Sequence, residues 1–237
     1  MSRKIQLYLH ENQRTGFKKD LNSLKDLFFE RILPTFANAE LETEEFQNTL
    51  WNNLMEQPCS SDTEDYSDYI DYVQEESIRK YELLSLMRYR TIAMWIACMC
   101  QVWEQQLFYF IIQEERNECI QYNASDKKKG FSFIKDVFEY HNQPFEKMKC
   151  WAKIHELRQL VNVIKHAEGW SENELRKIRP DLFIDQATGK LDLLNLYHSS
   201  LLEETIQIGE KDFTEYHNAL VAFWDELPER MVSVFET

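Results

Sequence analysis

Residues 70 to 118 contain neither proline nor glycine, and apolar residues recur at helical spacing through almost all of them. No strand runs that long, and an ordinary globular helix is shorter. The run therefore reads as one long spine or as two helices sharply joined. Only 5 Gly and 5 Pro occur in 237 residues, too few for a fold built from tight turns. The expectation is an all-α helical bundle with long central helices and little or no sheet.

The flanking segments fit that frame. Residues 17–36 carry Leu21, Leu24, Leu27, Phe28 and Ile32 at helical spacing, and Pro34 should end or bend the helix. Residues 40–57 read as a second helix. Residues 58–72, rich in Ser, Asp and Tyr, lack a stripe at their start and read as an acidic loop, either a docking segment or a solvated connector. A short amphipathic helix is expected at 131–142. Pro144 is placed at the start of the next helix, 145–168, with Gly169 as its C-cap. Ser171 and Glu174 look like a capping box for a helix that stops at "RPDLF". Residues 186–194 read as a turn, with a little strand around 204–209, and 213–235 as a final helix bent at Pro228.

Composition narrows the partners. Hydrophobic residues make up 43% of the chain, enough for a sizeable core, and the formal net charge is −14. Such a surface repels nucleic acid at long range, so any RNA contact must use a local pocket. It gives little support to binding an anionic membrane, and the apolar stretch 91–103 is shorter than a membrane span, so it reads as a buried core helix. The five cysteines, Cys59, Cys98, Cys100, Cys119 and Cys150, are odd in number and scattered, which points to a reducing cytoplasm. In a helix, Cys98 and Cys100 point about 200° apart, so they read as core residues and not as a metal pair. The chain contains no P-loop, no GxGxxG, no HExxH and no Cys/His metal spacing. No cofactor and no metal are expected.

The stretch "ELRQLVNVIKHAEG", residues 156–169, concentrates chemistry. At 100° per residue, Leu157, Leu160, Val161, Ile164 and Ala167 share one side. His155, Arg158, Asn162 and His166 recur every three or four residues on the other, bordered by Lys165. The stripe holds no acid in a chain with 41 of them. It is either a solvated face or a set of groups held together for chemistry. Glu104, inside the central apolar helix, is expected to pair with Arg158 or His166 or to face solvent. The "KKK" at 127–129 is read as a solvated loop or an RNA contact, and His141, His198 and His217 as surface or packing residues.

"LRQLVNVIKH", followed by a capped helix and "RPDLF", resembles the HEPN superfamily, all-α proteins common among prokaryotic toxins and defence systems. Their mark is a helix bearing R-x4-6-H, often R-N-x-x-x-H. Asn162 and His166 match N-x-x-x-H. Val161 stands just before Asn162, and Arg158 leaves seven residues before His166, so the arginine departs from the pattern. The resemblance covers residues 75–237 loosely and 156–183 specifically, and assigns 73–237 to a HEPN-like helical bundle. It implies an antiparallel helical bundle, a homodimer, an antitoxin or defence-complex partner, and metal-independent RNA cleavage in a cleft lined by both copies.

Such cleavage needs a base for the ribose 2′-hydroxyl, an acid for the leaving oxygen, and cations for the developing charge. His166 suits acid or base. Arg158 and Lys165 suit the RNA phosphate, Arg through a bidentate contact. Asn162 suits orienting the histidine or the phosphate, with Glu104 and His155 as supporting residues. Two functions stay open: a HEPN-like endoribonuclease, and a catalytically inactive HEPN-like module that binds RNA or assembles with a partner protein.

Overall fold

The computed structural model describes residues 6–56, 66–117, 122–185 and 188–233. Helix accounts for 77% of them, with a single two-stranded sheet. In chain order the elements are β1 (Gln6–Tyr8), α1 (Glu11–Leu27), α2 (Ala39–Met55), α3 (Tyr66–Asn117), α4 (Ala124–Lys127), α5 (Phe131–Tyr140), α6 (Trp151–His166), α7 (Trp170–Ile178), α8 (Leu193–Tyr197), α9 (Glu210–Glu226) and β2 (Arg230–Val232). The chain divides into two compact units, residues 1–26 with 92–237, and residues 27–91.

The long run is one helix, α3, of 52 residues. Its part within the larger unit buries Ile92, Ile96, Met99, Trp103, Leu107 and Phe110 at core spacing, each at most 2% exposed. By length and composition alone α3 could cross a membrane, and 33% of its most apolar window is buried within the protein. Around Trp103 the core is aromatic. Phe223 of α9 meets its ring edge-on at 5.0 Å, and Phe131 lies 5.8 Å away. Such pairs add about 0.5–1.5 kcal/mol each beyond the area they bury.

The smaller unit is built from the turn after α1, α2 and residues 66–91 of α3. It packs thinly: Phe28, Val73 and Tyr89 are its buried apolar residues among those described, and α2 has none. The chain turns through a π segment, Phe28–Ile32, and a 3-10 segment, Leu33–Phe36, that holds Pro34. Of the acidic stretch 58–72, residues 66–72 are helical and the others lie outside the described residues.

Several boundaries differ from the sequence reading, for local reasons. The first helix starts at Glu11, and it buries Phe17 and Leu21 whereas Leu27 is exposed. The last helix does not bend at Pro228 but ends at Glu226. Pro supplies no N–H to continue it, and the residue before Pro, Leu227, is extended at ψ 130°. Arg230–Val232 then pairs antiparallel with Gln6–Tyr8, placing buried Leu7 opposite buried Met231. Residues 204–209 form no strand; the Gln207 N–H donates to the Leu182 carbonyl at 2.7 Å instead. In the expected turn an isolated bridge joins Ile184 to Asp192, and Asp192 caps α8 by accepting from the Asn195 N–H. Cys98 is exposed and not a core residue, while Cys100 and Cys150 are buried; Cys59 and Cys119 lie outside the described residues.

Candidate functional site

Helix α6 begins at Trp151, seven residues beyond Pro144, which instead precedes a 3-10 turn at Phe145–Lys147. Its start is fixed from a distance. The Glu226 carboxylate at the end of α9 accepts from the backbone N–H groups of Lys149, at 2.6 Å, and Cys150, at 3.0 Å. An anion there satisfies otherwise orphaned donors and opposes the positive end of the helix dipole. The basic pair Lys165 and His166 sits in the last turn, where the dipole favours cations.

The helix stops at Ala167 and not at Gly169. Ala167 takes φ 59° with ψ −86°, a conformation that side chains rarely adopt. Gly169, at φ 139°, instead begins α7, and its N–H is capped by Glu172 at 3.3 Å. The capping box of Ser171 and Glu174 is therefore not used: the Ser171 hydroxyl accepts from Asn162 Nδ2 at 3.1 Å, and Glu174 pairs with Lys177.

Burial divides α6. Ile154, Leu157, Leu160, Val161, Val163 and Ile164 lie in the core. Arg158, Asn162 and His155 are half-buried, and Lys165 and His166 are exposed. Arg158 Nε donates to Glu104 Oε1 on α3 at 2.7 Å, and the guanidinium carbon lies 3.5 Å from the Phe131 ring centroid. The ring covers one face of the guanidinium, a cation–π contact. Neither Nη group has a partner among the described residues. Arg158, Asn162, Lys165 and Glu104 share the walls of one cleft of about 60 Å3 with Cys100 and Gln101. Burial pushes the Cys100 thiol up to about 12, with Glu104 adding to the effect, so it is no nucleophile near neutral pH.

The two histidines of the stripe lie outside that cleft. His166 is exposed with no partner among the described residues. His155 sits against Trp151, ring centroids 6.2 Å apart. One copy thus gathers Arg158, Asn162, Lys165 and Glu104, and leaves His155 and His166 apart from them. In the "KKK" loop Lys127 pairs with Glu115 and Lys129 with Asp126. His198 is exposed beside Glu168, and His141 and His217 are buried. Among the described residues no group of three His, Cys, Asp or Glu side chains could hold a metal ion.

The sequence reading missed a second polar system on α6. Glu156, 5% exposed, accepts from Arg179 at 2.8 Å, from the Tyr216 hydroxyl at 2.9 Å and from Lys153. Arg179 also binds Asp181 and Asp212. The hydrogen bond to Asp181, and then that to Glu156, hold its charge against the cost of burial. Burial and the Glu156 carboxylate raise the Tyr216 hydroxyl pKa. The neighbouring cleft of about 660 Å3 is walled by charges that mostly pair with one another. The signal for this system was present in Arg179 of "RPDLF" and in Glu156, which stands beside the apolar run of α6.

No family model, no curated protein and no solved structure matches this chain.

Proposed function

We propose that this chain is a HEPN-like RNA-binding protein that grips backbone phosphate on the outward face of α6. The carrying observation is that Arg158, Lys165 and Asn162 line one small cleft, with both Nη groups of Arg158 unpartnered among the described residues. A cleft of about 60 Å3 is far below the ~300 Å3 of an ordinary small-molecule site. It suits phosphate oxygens and not a whole nucleotide. Phosphate contacts position a strand without reading its sequence. In a chain of net charge −14, affinity must come from such a local spot.

A second reading is favoured by one observation. His166 lies one helical turn beyond Asn162, exposed and without a partner among the described residues. In a homodimer whose copies place α6 near the twofold axis, the partner's His166 would supply the acid or base that a single cleft lacks. That is the HEPN-like endoribonuclease of a defence or toxin–antitoxin system, acting in the cytoplasm with or without a partner protein. Labelled RNA incubated in EDTA separates the two readings. Binding without cleavage, weakened by Arg158→Ala, is the outcome expected for the binding module. Cleavage abolished by His166→Ala, with helical content unchanged, selects the nuclease. No binding at all removes both.

A further inference from the structure

Beside the phosphate cleft runs a larger groove of about 340 Å3. One face of α3 forms its floor through Gln101, Glu104, Gln105, Phe108, Tyr109 and Ile112, and Phe131 and Ile134 of α5 form its wall. The lining is mainly apolar, yet it lies open. Tyr109 is 55% exposed, and its ring stands nearly perpendicular to that of Phe17, centroids 6.4 Å apart. The two clefts adjoin, because Gln101 and Glu104 stand in the walls of both. Phe131 ties them together, walling the groove while supporting the Arg158 guanidinium at 3.5 Å.

We propose that this groove receives an unpaired, amino-bearing nucleobase of the same strand whose phosphate sits at Arg158. The inference rests on the RNA-binding reading above. A flat aromatic slot against a cation-lined cleft has the composition that single-stranded nucleic acid requires, stacking for the base and positive charge for the phosphodiester. A base locked in a duplex cannot enter, so the groove selects unpaired strand. Glu104 sets the base class. Its Oε1 is taken by Arg158, and its Oε2 has no partner among the described residues. A free carboxylate oxygen accepts from an exocyclic amine, as cytosine N4 presents, and repels the carbonyl oxygen that uracil presents in its place.

The test compares fluorescence anisotropy of the full chain with three labelled strands: oligocytidylate, oligouridylate, and an abasic strand of equal length. Wild type is expected to bind oligocytidylate most tightly. Tyr109→Ala, a surface change that circular dichroism should show to be folded, is expected to weaken oligocytidylate binding by about five- to a hundred-fold. It should leave the abasic strand unaffected. Equal affinity for the two pyrimidine strands, or equal affinity of Tyr109→Ala and wild type for oligocytidylate, overturns the base subsite. If Arg158→Ala still weakens the abasic strand in that case, the phosphate reading survives alone. If Arg158→Ala leaves the abasic strand unchanged, the phosphate reading itself has failed. A groove used for self-association also overturns the proposal, and shows as Tyr109→Ala dispersing a dimer in light scattering with RNA affinity intact.

Discussion

Two arginines make opposite use of helix α6. Arg179 turns its Nε and both Nη groups to carboxylates, Asp181, Glu156 and Asp212. Arg158, which lines a cleft with Lys165 and Asn162, gives its Nε to Glu104 and leaves both Nη groups without a partner among the described residues. Both side chains are similarly shielded, at 22% and 23% exposure. The difference therefore lies in partners and not in burial. A guanidinium with every edge engaged locks elements together. One held by a single bond and an aromatic face is positioned but still has donors for a ligand.

The largest expected effect tests that difference through stability. Arg179→Ala leaves Glu156, 5% exposed, without its strongest cation, and should cost about 3 kcal/mol, as loss of one partner from a largely buried pair does. Arg158→Ala should cost no more than about 1 kcal/mol, because Glu104 is 29% exposed and can return to water. Urea unfolding measures both. Equal losses would show that the two arginines play the same part.

The two buried histidines carry the pH dependence. His141 and His217 are buried, with Nε2 unpartnered among the described residues, and burial lowers the pKa of each. His141 Nδ1 meets the Val137 carbonyl, while His217 faces Asn218, with Lys25 opposing and Asp26 favouring its charge. A depressed histidine pKa means that the unfolded chain binds the proton more readily. The stability these groups allow is full above about pH 6.5, the unfolded value, and falls as pH drops below it. Melting temperature followed from pH 7.5 to 5 should decline, and His141→Gln should flatten the decline.

A smaller effect belongs to the corner after His166. Ala167→Gly should relieve the unfavourable backbone at φ 59° and ψ −86°, stabilising the protein by up to about 1 kcal/mol in the same urea assay. Destabilisation would mean that the Ala167 side chain holds the corner by packing.

The fold was legible where patterns were long. The absence of Pro and Gly through 70–118 indicated α3, and the stripe on α6 separated core positions such as Leu157 and Ile164 from Arg158 and Asn162 correctly. Short elements were less legible. β1 has three residues, and its pairing with β2 joins the two ends of the described chain, a contact that periodicity does not encode. Capping failed for a related reason. The motif at Ser171 was plausible locally, but Asn162 took its hydroxyl and the turn at Ala167 moved the helix start to Trp170. In the site, sequence spacing grouped His166 with Arg158, whereas the cleft gathers Arg158, Asn162 and Lys165 around Glu104 from α3. Glu156 was overlooked because a single acid beside an apolar run carries no mark of its distant partners Arg179 and Tyr216.

The claim that the open side of α6 is a phosphate site is tested most directly by the salt dependence of RNA affinity. Each phosphate contact on a single strand contributes about −0.7 to the slope of log affinity against log salt. Measured by anisotropy for wild type, Arg158→Ala and Lys149→Ala, the slope should become shallower by about that amount for Arg158→Ala and stay unchanged for Lys149→Ala. A slope for Arg158→Ala equal to that of wild type would contradict the account.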